Sequence, residues 1–389
     1  MRVALVGTRG VPARYGGFET CVEEVGARLA DRGHDVLVYA RSSDFQDHRE
    51  THRGMTVKHL PAVRHKALET LSHTALSVAH LLTRRVDVAI VFNAANALFL
   101  PLIRMRRIPV ATHVDGLEWK RAKWGGAGRR YYRMAEAMAV RWSDDLIADA
   151  AGIAEYYRDE FGAASTNIAY GAPLLDGIGT DRLTERGLRP GGYHLVVARF
   201  EPENHVHVAV DAYVRSAAKH PLVVVGSAPY SDEYTARIRD LASSSRNVRF
   251  LGAVWDQILL DQLYAGAFTY VHGHSVGGTN PSLLRAMGAS APTIAFDVRF
   301  NREVLGDAGH FFTDAAELSA LLEKAEADPA ATASRGSASR AAAARYDWDD
   351  VAEKYERLCV RLAGGARQPR VSGRRKGATD ANRLRVRTF

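Results

Sequence analysis

Short apolar runs and stretches of helical spacing alternate along most of the chain. Val3-Ala4-Leu5-Val6 is an unbroken apolar run inside a strand read over residues 2–7, the pattern of a strand buried on both faces. Phe18 to Arg32 follows with Val22, Val25 and Leu29 on one helical face and stops at Gly33, a favourable helix end. Further strands are read at 36–39, 56–60, 86–92, 110–113 and 145–148, with helices over 67–84, 129–142 and 151–161. This rhythm predicts a doubly wound parallel sheet.

From Tyr170 to Gly192 the periodicity breaks up among glycines and charges. A second alternating series then begins. Strands are read at 193–199, 222–226, 248–251, 269–272 and 293–296, and helices at 206–219, 231–244, 258–265, 281–288 and 315–327. An alanine-rich helix is read over 330–344. Two such halves predict an α/β chain of two Rossmann-like domains with ligands at the C-terminal ends of the strands, in a central cleft. The expected organisation is a first domain over 1–172, a linker over 173–192, a second domain over 193–346 and a terminal helix over 347–363. A basic tail over 364–389 is expected to be disordered.

Composition changes this picture little. The 389 residues exceed what one core usually supports, and the apolar and charged fractions are ordinary. No run of about 18 apolar residues predicts a membrane span. The opening residues read as a strand and not as a leader, so a cytoplasmic chain is expected. Cys21 and Cys359 lie far apart in sequence and neither has a zinc-type neighbourhood. The net charge of +8 is mostly the tail: residues 364–389 carry eight Arg or Lys against one Asp. That tail reads as a solubilising extension or as a contact with an anionic membrane. With the remainder near neutrality, nucleic acid is a poor partner.

Three loops carry candidate chemistry. The first runs from Gly7 to Thr20, where Gly16 and Gly17 precede a helix and suit an approaching anion. It lacks the GxGxxG spacing, and the second strand ends in Arg41 and not in an acid, which lowers the odds of a nicotinamide cofactor. The second is Arg199 to Asn204 at a strand end, where the guanidinium can hold a phosphate or pair with Glu201 or Glu203. The third is His272 to Gly288. There Gly277, Gly278, Thr279 and Asn280 lead into a helix begun by Pro281, with its free N–H groups and positive dipole end. His272 and His274 show no third metal ligand at suitable spacing, so no metal is expected.

With these motifs in order the chain resembles family 4 retaining glycosyltransferases of the GT-B fold over nearly its full length. The strings GTRGVPARYGGFET, HVDGLEWKRAKW and HGHSVGGTNPSLL look like a bacterial subgroup that contains rhamnosyltransferases of cell-surface polysaccharide synthesis. The resemblance implies a nucleotide-diphosphate sugar as donor, dTDP-L-rhamnose in the narrower reading, with retention and no cofactor or metal. It implies a lipid-linked or saccharide acceptor. His113 resembles the family's sugar-contacting histidine. Three positions depart from the pattern: Asn204 stands where the family has a Lys, and Gly277 and Arg285 stand at the two ends of its Glu-x7-Glu motif. Arg285 either supplies donor contacts in a different way or faces away.

Arg199 is expected to stabilise the leaving diphosphate. Asp115 and Glu118 are the candidates for orienting or deprotonating the acceptor hydroxyl, with a turn-capping Asp115 as the alternative. Trp119, Lys120, Arg121, Lys123 and Trp124 open a stretch to Arg133 with six Lys or Arg, four aromatics and no acid. It reads as a solvated helix face or as a surface that meets an anionic membrane at its inner face.

Overall fold

The computed structural model describes residues 1–13, 16–44, 48–65, 68–114, 116–121, 124–227 and 232–376. The chain forms two compact units. Of the described residues, one comprises those within 1–120, 124–171 and 348–376, and the other Arg121 and those within 172–347.

The first unit is built on β1 (Arg2–Val6), β2 (Asp35–Arg41), β3 (Thr51–His52), β4 (Met55–Leu60), β5 (Val88–Phe92), β6 (Val110–Val114), β7 (Asp145–Ala148) and β8 (Thr166–Asn167). Its sheet runs in the order β3-β4-β2-β1-β5-β6-β7-β8. All neighbours are parallel except the short β3, which is antiparallel to β4. The crossovers contain α1 (Gly17–Asp31), α2 (Glu69–Leu81), α3 (Leu100–Met105), α4 (Gly126–Trp142) and α5 (Ala151–Phe161). With helices on its faces, β5, β6 and β7 are buried at every position, which is why they read as continuous apolar runs.

The second unit contains α6 (Asp181–Glu185), β9 (His194–Val197), α7 (Val206–Arg215), β10 (Leu222–Val225), α8 (Asp232–Ala242), β11 (Val248–Gly252), α9 (Gln257–Ala265) and β12 (Thr269–His272). It continues through α10 (Pro281–Gly288), β13 (Thr293–Phe296), α11 (Arg299–Leu305), β14 (His310–Phe312), α12 (Ala315–Ala327) and α13 (Pro329–Ala343). The sheet is parallel throughout, in the order β11-β10-β9-β12-β13-β14. The order reverses between β9 and β12, so the loops after these two strands diverge and leave a crevice beside their C-terminal ends.

The segment 173–192, expected as a linker, is part of this unit. Leu175 N donates to Gly288 O, Leu183 is fully buried, and Gln262 on α9 holds Asp181 and the Arg182 backbone of α6. Its irregular sequence makes loops and one short helix that pack on α9 and α10.

The last helix, α14 (Trp348–Ala363), returns to the first unit. Val351, Tyr355, Leu358 and Leu362 form its buried stripe. Tyr355 Oη lies 3.4 Å from Cys21 Sγ on α1, and Asp349 and Glu356 pair with Arg28 and Arg32.

The extension that follows corrects a second expectation. Residues 364–376 are not a loose tail; they run along α4 and α5. The guanidinium of Arg375 lies 2.5 Å from Glu136, 2.8 Å from Glu160 and 2.8 Å from the Tyr156 hydroxyl, over the Phe161 ring. Arg367 pairs with Asp144 at 2.9 Å. Gly373 has φ +72°, and a Cβ there would stand 2.4 Å from Ala137 O, so only glycine follows α4 this closely. The basic residues read as a solvated tail thus serve partly as partners for acids of this unit. Residues 377–389 lie outside the described residues.

Candidate functional site

In the first unit the expected residues gather at the C-terminal ends of β1, β5 and β6. Gly16 is the N-cap of α1 and Gly17 its first residue; the Gly16 carbonyl receives the backbone N–H of Thr20. The first turn of the helix carries one acid, Glu19. Glu19 is buried and accepts from Arg9 N at 3.0 Å.

His113 differs more sharply from expectation. It is fully buried, stacked on Phe92 and Tyr170 at 5.4 and 5.8 Å with Phe18 edge-on at 5.1 Å. Neither ring nitrogen has a hydrogen-bond partner, and burial pushes its pKa down to about 3. The ring is packed as an apolar plate because β6 is covered on both faces.

Asp115 and Lys123 lie outside the described residues. Glu118 is buried, and its carboxylate accepts from Trp124 Nε1 at 3.3 Å. The aromatics of this stretch turn inward. Trp119 lies under Arg133 and Lys120, Trp124 packs on Tyr132, and the Tyr131 hydroxyl donates to Ala95 O at 2.6 Å. Lys120, Arg129, Arg130 and Arg133 face solvent.

In the second unit the expected residues meet at the ends of β9 and β12, which are neighbours in the sheet. Arg199 follows β9 with its side chain 39% exposed and its guanidinium 3.6 Å from Glu201. Glu201 also lies 3.3 Å from Arg121, which the contacts group with this unit. Asn204 is buried, and its amide donates to Arg199 O at 2.8 Å. The residue in the family's lysine position therefore pins the backbone turn that carries Arg199.

Beyond β12, Gly277 is partly exposed, Gly278 and Thr279 are buried, and Asn280 caps α10 by accepting from Ser282 N at 2.9 Å. Pro281 occupies the first turn, where its missing N–H costs nothing. Arg285 turns toward α9, 2.9 Å from Gln257 and 3.2 Å from Asp261. It faces away from the loop and is not placed as a donor contact.

Sequence reasoning missed His205 in this region and read Glu203 only as an ion-pair partner of Arg199. Glu203 is buried with both carboxylate oxygens outside any hydrogen bond, and Arg121 is 3.7 Å away. His205 stacks on Phe296 at 4.1 Å and donates from Nδ1 to Gly273 O at 2.7 Å. Asn301 donates to the carbonyls of His274 and Phe296. The signal available was position: each follows the end of a parallel strand. Among the described residues no group of three His, Cys, Asp or Glu side chains is arranged to hold a metal ion.

Two family models match the chain in sequence. The Glycosyl transferase 4-like domain covers residues 16–171, and Glycosyl transferases group 1 covers 192–328. The chain is a glycosyltransferase of the GT-B fold. Among curated relatives, this glycosyltransferase is 29% identical to O-antigen chain mannosyltransferase B of Escherichia coli, over 30% of this chain and 32% of that one. The chain thus spans about a third of that relative. It is 26% identical to glycogen synthase of Mycobacterium tuberculosis, over 95% of this chain and 97% of the other. In structure it resembles Anabaena Alr3699/HepE, solved in complex with UDP-glucose. The TM-score is 0.74 at 17% identity, covering 92% of this chain and 100% of that one.

Proposed function

We propose that this glycosyltransferase moves a deoxyhexose, L-rhamnose from dTDP-L-rhamnose, to a hydroxyl of a lipid-linked or saccharide acceptor in cell-surface polysaccharide synthesis. Transfer proceeds with retention and without a metal ion. One observation carries the reading of the donor site: the half-exposed guanidinium of Arg199 stands at the end of β9, beside the strand whose loop leads through Gly277 and Gly278 into the start of α10. Departure of the nucleotide places negative charge on the diphosphate. A fixed guanidinium and a helix N-terminus stabilise that charge where it develops. The UDP-glucose held by HepE supports a nucleotide sugar as the donor class. The choice of rhamnose rests on the three sequence strings.

On the acceptor side, Glu118 and Asp115 remain the candidate bases. The outward arginines of α4 suit the inner face of an anionic membrane, where a lipid-linked acceptor lies. Among the described residues no helix is long and apolar enough to cross a membrane, so such a contact is peripheral in this reading. A non-catalytic nucleotide-sugar-binding protein is the second reading. It is favoured by Asn204, tied to backbone, and Arg285, paired with Asp261.

Product mass spectrometry separates the readings. The protein is incubated with EDTA, a polyprenyl-diphosphate-linked GlcNAc acceptor, and dTDP-L-rhamnose, UDP-glucose or GDP-mannose in separate reactions. A deoxyhexose adduct from dTDP-L-rhamnose alone supports the proposal. A hexose adduct from another donor sinks the rhamnose assignment. No adduct with any donor, while nucleotide still raises the melting temperature, favours the binding protein.

A further inference from the structure

Buried polar groups nearly always have hydrogen-bond partners, because leaving one without them is costly. In the second unit several such groups without hydrogen bonds gather on segments packed against one another. They are Glu203 Oε1 and Oε2, His272 Nε2, His274 Nδ1 and Asn301 Oδ1. The turn carrying Glu203 is fixed from behind. Ser275 donates to Glu203 O from both its N–H and its hydroxyl, at 2.9 and 3.0 Å. Gly273 lies so close that a Cβ would stand 2.2 Å from Asn204 O. The His272 and His274 rings stack at 4.4 Å, and Asn301 holds the His274 carbonyl at 2.9 Å.

The chemistry of these groups defines what they can take. A carboxylate accepts hydrogen bonds and donates none, so Glu203 repels a phosphate and receives hydroxyl groups. Arg121, at 3.7 Å, offsets its charge without occupying its oxygens through a hydrogen bond. His274 is held neutral by burial and by His272, Arg199, Arg121 and His205 around it. A neutral imidazole both donates and accepts, as a hydroxyl does.

We propose that Glu203, with His274 beside it, is the clamp that binds hydroxyl groups of the donor's sugar ring and so reads the sugar and not the nucleotide. The inference rests on the reading of this unit as a nucleotide-sugar site and adds to it which residues select the sugar. Arg199 and the start of α10 then take the diphosphate, and the two recognition tasks separate by charge.

Calorimetric titration tests this with four probes: dTDP, dTDP-L-rhamnose, UDP and UDP-glucose. The proteins are wild type, Glu203→Gln, Glu203→Asp and His274→Ala, each checked by its melting curve. The quantity read is the ratio of affinities for a nucleotide sugar and its free nucleotide. Glu203→Gln is expected to lower that ratio about tenfold, as loss of a charge-assisted hydrogen bond does, and His274→Ala about fivefold, as loss of a neutral one does. Binding of the free nucleotide should stay within about twofold of wild type, and Glu203→Asp should recover part of the ratio. An unchanged ratio in Glu203→Gln and His274→Ala overturns the clamp, and so does an equal fall for sugar and nucleotide. If wild type binds none of the four probes, the nucleotide-sugar reading itself fails, a result distinct from a clamp that is absent from a working site.

Discussion

Each unit buries histidines with a ring nitrogen outside any hydrogen bond, and the surroundings make them opposite objects. His113 is boxed by Phe18, Phe92 and Tyr170. With no polar group among its stacking neighbours except the tyrosine hydroxyl, it behaves as a packed ring. His274 stacks on His272 among Arg199, Arg121 and Asn301, after a strand end that leads into a polar glycine-containing loop. The first unit pairs its deep charges within itself, as Arg375 does with Glu136 and Glu160. The second keeps a guanidinium half exposed and a carboxylate without hydrogen bonds. An unsatisfied polar atom marks a site only where its neighbours are polar as well.

The sharpest way to break this contrast is to remove Arg199. Its side chain is 39% exposed, so Arg199→Ala should change the melting temperature little. Loss of a fixed positive group facing the leaving diphosphate should lower kcat about 10²–10³-fold. Steady-state kinetics beside a melting curve decides it. A fall below threefold would remove Arg199 from the chemistry.

Arg375→Ala is the mirror image. Its guanidinium serves Glu136, which is 4% exposed, and removing one partner of a buried pair costs about 3 kcal/mol. Denaturant unfolding should show that loss, while kcat stays within about twofold of wild type. Unchanged stability would mean that residues 364–376 are dispensable to the first unit.

How much of this was legible in the sequence follows from the same contrast. Alternating apolar runs give the strands and the two-domain architecture, because burial on both sheet faces writes itself into consecutive residues such as Val88–Phe92. The positions of Arg199, Gly278 and Asn280 at strand ends and a helix start were also legible. Side-chain direction was not. Whether Arg285 faces the loop or α9 depends on Asp261, 24 residues away, and no local pattern records that pairing. The fate of the basic tail was hidden for the same reason: its partners lie on α4 and α5, more than 200 residues earlier. The burial of His113 was hidden because a histidine inside an apolar strand looks the same in sequence whether its ring is packed or presented.

His113→Phe probes the aromatic box directly. In the unfolded chain the imidazole titrates at its ordinary value of 6.5, and in the folded chain at about 3. Below pH 6.5 the unfolded chain binds the extra proton, so stability that is full above that pH drains away as pH falls toward 3. The slope from this one group is about 1.4 kcal/mol per pH unit. Phenylalanine fits the stack and carries no proton. Melting curves from pH 7 to 4.5 should show a flatter decline for the variant, with equal or higher stability at pH 7. An unchanged slope would mean that His113 is not the buried neutral ring described.

The smallest effect is expected at Arg285. Placing Glu there would restore the family's acid, yet the structure sets this position against Asp261 and Gln257 on α9. Arg285→Glu trades a partly exposed ion pair for a like-charge contact, at a cost of about 1 kcal/mol. It should also raise the Asp261 pKa further, since burial already lifts that carboxyl and Arg285 opposes the rise. Adding Asp261→Arg should recover most of the lost stability, because the pair is then re-formed with its charges exchanged. Donor affinity should change less than about threefold in both variants, since neither charge faces the loop after β12. A tenfold gain in donor affinity for Arg285→Glu would show instead that residue 285 reaches the nucleotide. The second unit would then use both ends of α10, not its start alone.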